Sequence, residues 1–392
     1  MPQPLLTRRW SPRWQAAWLA LLAILAAVCP VGAADSAAGE IGGASDPANA
    51  SYRIGGEMVT LENGLAEKPA APGSASKVTT RILNDPVSGD LDGDGDEDAV
   101  VWLLQQTGGT GSFFYVAAAF RGNGGYQGTT AVLVGDRIAP QTLSITHRLV
   151  SAQYLDRETG APMALPPAKD AAMYLIASAE GLAPVARASH ETPPMHGWLV
   201  IGHEVRTFTP CRTDDPLWLT GDHNVISTLV QQHREAHAGA VPYAPLFVTL
   251  VGRPTDVPAT GFGADYAGAF AVMALVQAWP AGNCMSDRIV VEEPLPGSIA
   301  DMPLIVKGRA TGAWYFEGEI GLTLVDPDRN VIARGFATAK SEWMKMGFVP
   351  FEGRISLQRP AGTDRAVLIV SRNNPSEDRS LDEGLEIPLV LH

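Results

Sequence analysis

From Tyr52 to about Val185 short apolar runs alternate with glycine-rich turns. The runs Ala99–Leu104, Phe113–Phe120 and Thr129–Val134 are separated by Gly108–Gly111 and Gly122–Gly125. Strands of about six residues joined by such turns predict an antiparallel meander. The pattern breaks at residues 186–195, where Ser189, His190, Thr192, Pro193 and Pro194 mark a linker. Residues 196–287 then alternate strand-like Trp198–Ile201, Val205–Phe208, Leu246–Val251 and Phe270–Val276 with one helical stretch, Val225–His237, whose Val225, Leu229 and Val230 share a face. A small β-barrel with one helix fits this segment. Residues 288–392 hold the runs 289–291, 304–306, 320–325, 331–332, 353–357, 366–370 and 387–391, broken by turns such as Asp326–Asn330. The expected fold class is mainly β in three modules.

Seven short strands in a last module of roughly a hundred residues suit an immunoglobulin-like sandwich. It has no cysteine pair of its own, so packing of Trp314, Phe316, Trp343, Phe348 and Phe351 is expected to hold it. Ahead of the first module, residues 1–33 carry Arg8, Arg9 and Arg13, an apolar run from Ala16 to Val28, and the small-residue ending Val31-Gly32-Ala33. That order is expected of a signal peptide cleaved near Ala33, with residues 34–50 a flexible tether and the product periplasmic or secreted. Thr7-Arg8-Arg9-Trp10 resembles a twin-arginine signal, although Ser11-Pro12 stand where apolar residues belong. Cys29 follows Val28 and not the small residue that lipidation favours. A spanning helix needs about 20 apolar residues, and this run is shorter, so the chain is not expected to span a membrane.

Composition narrows the function classes. With 46 % hydrophobic and 18 % charged residues the 392-residue chain is no disordered polymer, and 40 Gly with 30 Pro exclude a helical bundle. The formal charge is −13; losing three arginines and no acid with residues 1–33 leaves −16. Nucleic acid is a poor partner for such a chain. Beyond Cys29 only Cys211 and Cys284 remain, and an even pair in an oxidising compartment predicts a disulfide closing the middle module.

The sharpest chemistry lies in Asp90-Leu91-Asp92-Gly93-Asp94-Gly95-Asp96-Glu97-Asp98. Carboxylates at loop positions 1, 3, 5, 7 and 9 with glycine at 6 can aim several oxygens at one Ca²⁺. An EF-hand would place Glu at position 12, where Val101 stands within a strand-like run. The loop instead resembles the calcium loops of FG-GAP repeats. On that resemblance Asp90, Asp92, Asp94 and Asp98 give carboxylate oxygens and Asp96 its backbone carbonyl. A solvated acidic turn is the alternative. Six acids in nine residues repel by about 1 kcal/mol per adjacent pair even in water, which a cation would reverse.

Other constellations are weaker. His233 and His237 are four apart on the expected helix, but Arg234 stands where a zinc protease needs Glu, so a solvated helix face is expected. Gly108–Ser112 lacks the lysine of a phosphate loop and reads as a hairpin. Gly135-Asp136-Arg137 reads as an ion-paired turn. No nucleophile elbow appears, so no catalytic residue is assigned.

The last module resembles the immunoglobulin-like domain of bacterial spore germination proteins, a domain also found in many exported proteins of unrelated bacteria. The resemblance runs through Val290–Pro296, Pro303–Ala310, Trp314–Glu317, Leu322–Asp326, Ser341–Met344, Phe348–Glu352, Asn373–Ser376 and Ile387–Leu389. It departs at Pro375-Ser376-Glu377, where the family has a glycine-rich stretch. The middle module is similar to the OB-like domain of surface-sensing envelope lipoproteins through Gly202–Cys211, Leu217–Leu219 and Pro242–Leu246. The resemblance of the last module implies a non-catalytic extracytoplasmic module that binds a partner or the wall. Taken with the signal, the acidic loop and the expected disulfide, it leads to the expectation of an exported, monomeric, non-catalytic protein that binds an envelope protein or cell-wall component, with Ca²⁺ as its cofactor. A wall or polysaccharide hydrolase, and an envelope-stress reporter or lysozyme inhibitor, are the alternatives.

Overall fold

A computed structural model describes residues 44–162, 164–188, 193–237, 242–356, 364–376 and 378–391. The expected signal peptide, most of the tether and the centre of the 186–195 linker lie outside the described residues; the linker's ends are not linker, because residues 186–188 and 195 pair within the flanking strands. The described residues all belong to one compact unit.

The first module is layered around the strand Asp98–Gln106, whose first seven residues are all buried. Side chains alternate across a strand, so an unbroken apolar run means that both faces are covered. Val100, Trp102 and Leu104 pack with Phe114 and Val116 against Val150, Ala152, Met173 and Leu175. Ala99, Val101 and Leu103 face the other way, onto Tyr52, Ile54 and Leu61. The strand sits inside a seven-stranded antiparallel sheet that runs from Leu65–Pro69 through Lys77–Ile82, Asp98–Gln106 and Ser112–Gly122 to Gly125–Gly128, with Val87–Gly89 and Val132–Asp136 off the main path. One face takes the hairpin Ser51–Ile54/Glu57–Thr60; the other takes a four-stranded meander, Ala139–Thr146, Leu149–Asp156, Lys169–Ser178 and Gly181–Ala188.

The tether expectation fails at its end, because residues 44–50 are part of this fold. Ala44 exchanges two backbone hydrogen bonds with Tyr126, and the Tyr52 hydroxyl donates to the Pro47 carbonyl at 2.9 Å. Small side chains made this segment look like a linker; here they permit close packing, with Pro47 and Ala50 buried.

The middle module is a closed five-stranded barrel in the order Met195–Ile201, Arg206–Pro210, Leu217–Gly221, Ala269–Ala278, Leu246–Thr255. Leu217–Gly221 and Ala269–Ala278 pair in parallel, and the helix His223–Ala236 lies between the third and fourth strands in sequence. That is the connectivity of an OB fold. Asp222 caps the helix by accepting from Asn224 N–H at 2.8 Å, and Ile226 and Leu229 close the barrel interior of Leu199, Phe208, Leu219, Leu246 and Phe270. Cys211 and Cys284 form the expected disulfide, their Cα atoms 5.5 Å apart and 73 residues apart in sequence.

The last module is one eight-stranded ladder folded into a sandwich: Ile289–Glu293, Leu304–Thr311, Phe348–Ile355, Val331–Ala339, Glu319–Val325, Arg365–Ser371, Gly384–Leu391, Ile299–Ala300. Val331–Ala339 belongs to both layers, pairing with Glu319–Val325 over most of its length and with Phe348–Ile355 at its end. The crossing is so close that a Cβ on Gly353 would sit 2.7 Å from Ala337 Cα, which makes glycine obligatory there. Trp314 and Phe351 are core residues as expected, with Trp343 packed against them. Phe316 is exposed instead, because it lies in a tight bridge to Glu319 outside the sandwich.

Opening the Cys211–Cys284 bond releases a loop whose closure contributes about 4 kcal/mol in the chain-entropy model. Urea melts of the chain with and without reductant are expected to differ by up to that amount, and a Cys211→Ala, Cys284→Ala variant should match the reduced protein.

Candidate metal centre

The acidic loop leaves the short strand Val87–Gly89 and returns as the central strand at Asp98. Each turn is held by a carboxylate accepting from the backbone just ahead: Asp90 Oδ1 from Gly93 N–H at 2.6 Å, Asp92 Oδ1 from Asp94 N–H at 3.1 Å, and Asp94 Oδ1 from Asp96 N–H at 2.8 Å. Gly93 and Gly95 both have φ of 93°, a conformation that side chains resist. Asp98 closes the loop, with Oδ2 accepting from Leu91 N–H and Oδ1 from Arg121 N–H, each at 2.9 Å. Asp90, Asp92 and Asp98 each bring an oxygen within 4.8 Å of the others. Asp94 and Asp96 are exposed and lie outside that cluster.

Burial pushes Asp98 up to about 6 despite its two hydrogen bonds, with the charges of Asp92 and Asp94 adding to the rise. Asp92 is also raised, by burial first and then by Asp94 and Asp90. A carboxylate oxygen that accepts one N–H keeps a further lone pair, and the donor set is entirely hard oxygen, so the residues fit Ca²⁺.

Two arginines that the sequence did not signal reach this loop. Arg148 donates from Nε to the Leu91 carbonyl at 3.0 Å and from a terminal nitrogen to the Asp92 carbonyl, while its guanidinium lies 5.0 Å from the Trp279 ring centre. Arg309, from the sandwich, pairs with Asp90 at 2.9 Å and with Glu292, its side chain only 8 % exposed and that of Asp90 6 %. Added Cβ atoms would meet the Arg148 guanidinium at 2.9 Å on Gly93 and the Arg309 Cδ at 3.3 Å on Gly95, so the glycines also make room for the two arginine side chains. Six acids against two guanidiniums still leave four negative charges on the loop.

All three modules meet here, around a cavity of about 200 Å³ lined by residues that include Asp90, His147, Trp279, Asp287 and Phe348. Next to Arg148, His147 N–H donates to Asp287 Oδ1 at 2.8 Å, and its ring packs edge-on against His196 and Phe247 of the barrel. The disulfide lies at the same place: Cys211 N–H donates to the His196 carbonyl, and Cys284 opens the turn that carries Asp287.

The remaining expectations divide. His233 is not on a solvated face: it is buried, and its Nε2 bonds the Ala244 carbonyl at 2.8 Å, pinning the helix to the chain that enters the fourth barrel strand. Its neighbour His237 is half-buried, with ring centres 4.8 Å apart. Gly108–Gly111 is the expected hairpin between two paired strands. Asp136 and Arg137 form the expected ion pair at 2.6 Å, and Asp136 also accepts from Ser112 N–H.

Breaking a buried ion pair from one side strands the other charge, so Arg309→Met is expected to cost about 3–5 kcal/mol. Adding Asp90→Asn should recover much of that loss; a double-mutant cycle in denaturant measures it. The comparisons with known proteins bear on the module that supplies Arg309. No curated protein and no solved structure matches the chain, whereas residues 288–378 match the family model of the immunoglobulin-like domain of bacterial spore germination, Gmad2.

Proposed function

We propose that this is an exported, non-catalytic binding protein of a bacterial envelope, in which the immunoglobulin-like module engages a protein or cell-wall component and Ca²⁺ braces the acidic loop beneath it. The observation that carries the reading is the convergence of Asp90, Asp92 and Asp98 where the first module meets the sandwich. A cation there would neutralise charge that burial has made costly and would hold Asp90 in position for Arg309. Asp94 and the Asp96 carbonyl would complete the oxygen set after a small closure of the exposed part of the loop. The family match supports the binding role, since the matched domain type is non-catalytic. Among the described residues no helix is long and apolar enough to cross a membrane.

Calorimetry on the chain lacking residues 1–33 is expected to show calcium binding, and melting in calcium should exceed melting in chelator. At a hundredfold excess over Kd the gain is about 2.7 kcal/mol. An Asp92→Ala, Asp94→Ala variant should give neither heat nor gain, and identical melts of the parent chain in both conditions would remove calcium from the reading. The binding role is tested by recovering envelope components on the immobilised chain against an inert protein of equal charge. Retention of nothing above that control, together with cleavage of labelled murein, would replace binding by hydrolysis.

A further inference from the structure

The hairpin joining Ala139–Thr146 to Leu149–Asp156 turns on His147 and Arg148, with Thr146 paired to Leu149. Both turn residues have positive φ, 49° and 65°, in a two-residue turn that favours Asn-Gly. Non-glycine residues persist in such strained positions when their side chains are needed. Arg148 serves the acidic loop, as described above. His147 enters the contact between the first module and the barrel, where its ring centre lies 4.5 Å from that of His196 at an interplanar angle of 84°. Its Nδ1 is buried without a hydrogen bond, and the nearest carboxylate oxygen, Asp287 Oδ2, is 3.5 Å away. His196 Nδ1 bonds the Thr249 hydroxyl at 2.8 Å, and Phe247 packs against both rings.

We propose that the His147–His196 contact is an acid-sensitive latch: neutral imidazoles seat the hairpin tip on the barrel, and protonation of the pair unseats it. The charges around the pair set the direction. Asp287 favours a proton on His147, while Arg212 opposes it, Arg148 adjoins it in the turn, and Asp90 and Glu97 line the shared cavity. His196 faces His147 and the Thr249 hydroxyl, and among the described residues no carboxylate is paired with it. Burial outweighs Asp287 and lowers His147, and burial followed by the His147 charge brings His196 down to about 3. A histidine depressed in the folded state contributes stability that is complete above the unfolded value of about 6.5 and is lost as pH falls toward the folded value. The apolar side chains of Leu149, Ala172, Val251 and Val276 do not titrate and also join the first module to the barrel, so the opening is confined to the tip.

Hydrogen exchange of the chain lacking residues 1–33, corrected for the intrinsic pH effect on exchange, tests it. The hairpin tip, residues 145–148, and the start of the barrel strand around His196, residues 195–197, are expected to lose protection about tenfold for each pH unit below about 6 that burdens one depressed histidine, while Glu319–Val325 and Arg365–Ser371 keep theirs. A His147→Asn, His196→Gln variant should keep protection at the junction through the same range, asparagine being tolerant of positive φ. Junction protection that ignores pH in the parent chain, or an equal loss in the variant, would overturn the proposal. Imidazole NMR on the parent chain gives an answer independent of whether the variant folds. Titration of both rings at the ordinary value refutes the latch, and depression of either one supports it.

Discussion

A guanidinium buried among carboxylates is the constraint on which the arrangement of modules depends. Arg309 has left water for a site where Asp90 and Glu292 are its partners, and Asp90 in turn is too buried to stand alone. Each charge makes the other's burial tolerable, and such a pair tolerates little displacement because its attraction must offset a large loss of hydration. The sandwich is therefore located on the first module by a polar contact, and only where the acidic loop has the right shape. That shape comes from backbone hydrogen bonds to Asp90, Asp92, Asp94 and Asp98 and from two left-handed glycines.

Much of this was legible in the chain. Alternating apolar runs and glycine turns predicted a β protein in three modules, and the barrel helix, the disulfide and nearly every sandwich strand follow the expected segments. Local pattern is informative there because each element's neighbours are determined by its own periodicity. The acidic loop was legible as a motif, since spacing and glycine position are local properties. Its partners were not. Nothing near Arg148 or Arg309 in sequence distinguishes them from other arginines; they became buried partners through contacts 57 and 219 residues away. His147 was silent for the same reason. His233 misled because its exposed helical neighbours describe a solvated face, whereas the chain entering the fourth barrel strand covers it.

Small residues serve one end at two places in the fold. Residues 44–50, small and without periodicity, read as a tether yet are packed, because small side chains let backbone approach backbone. Gly353 does the same at the crossing of the sandwich layers, where any side chain would displace Ala337. In both places close approach of main chains, and not apolar volume, makes the contact.

The disulfide also has a mechanical meaning. It joins the end of the second barrel strand to the turn that opens into the sandwich, so three of the five barrel strands and the helix lie inside the loop it closes. Tension applied between the first module and the sandwich would pass from Cys211 directly to Cys284. The enclosed strands would carry none of that load along their own backbone, and the chain could be pulled from either side without drawing out the third, fourth and fifth barrel strands.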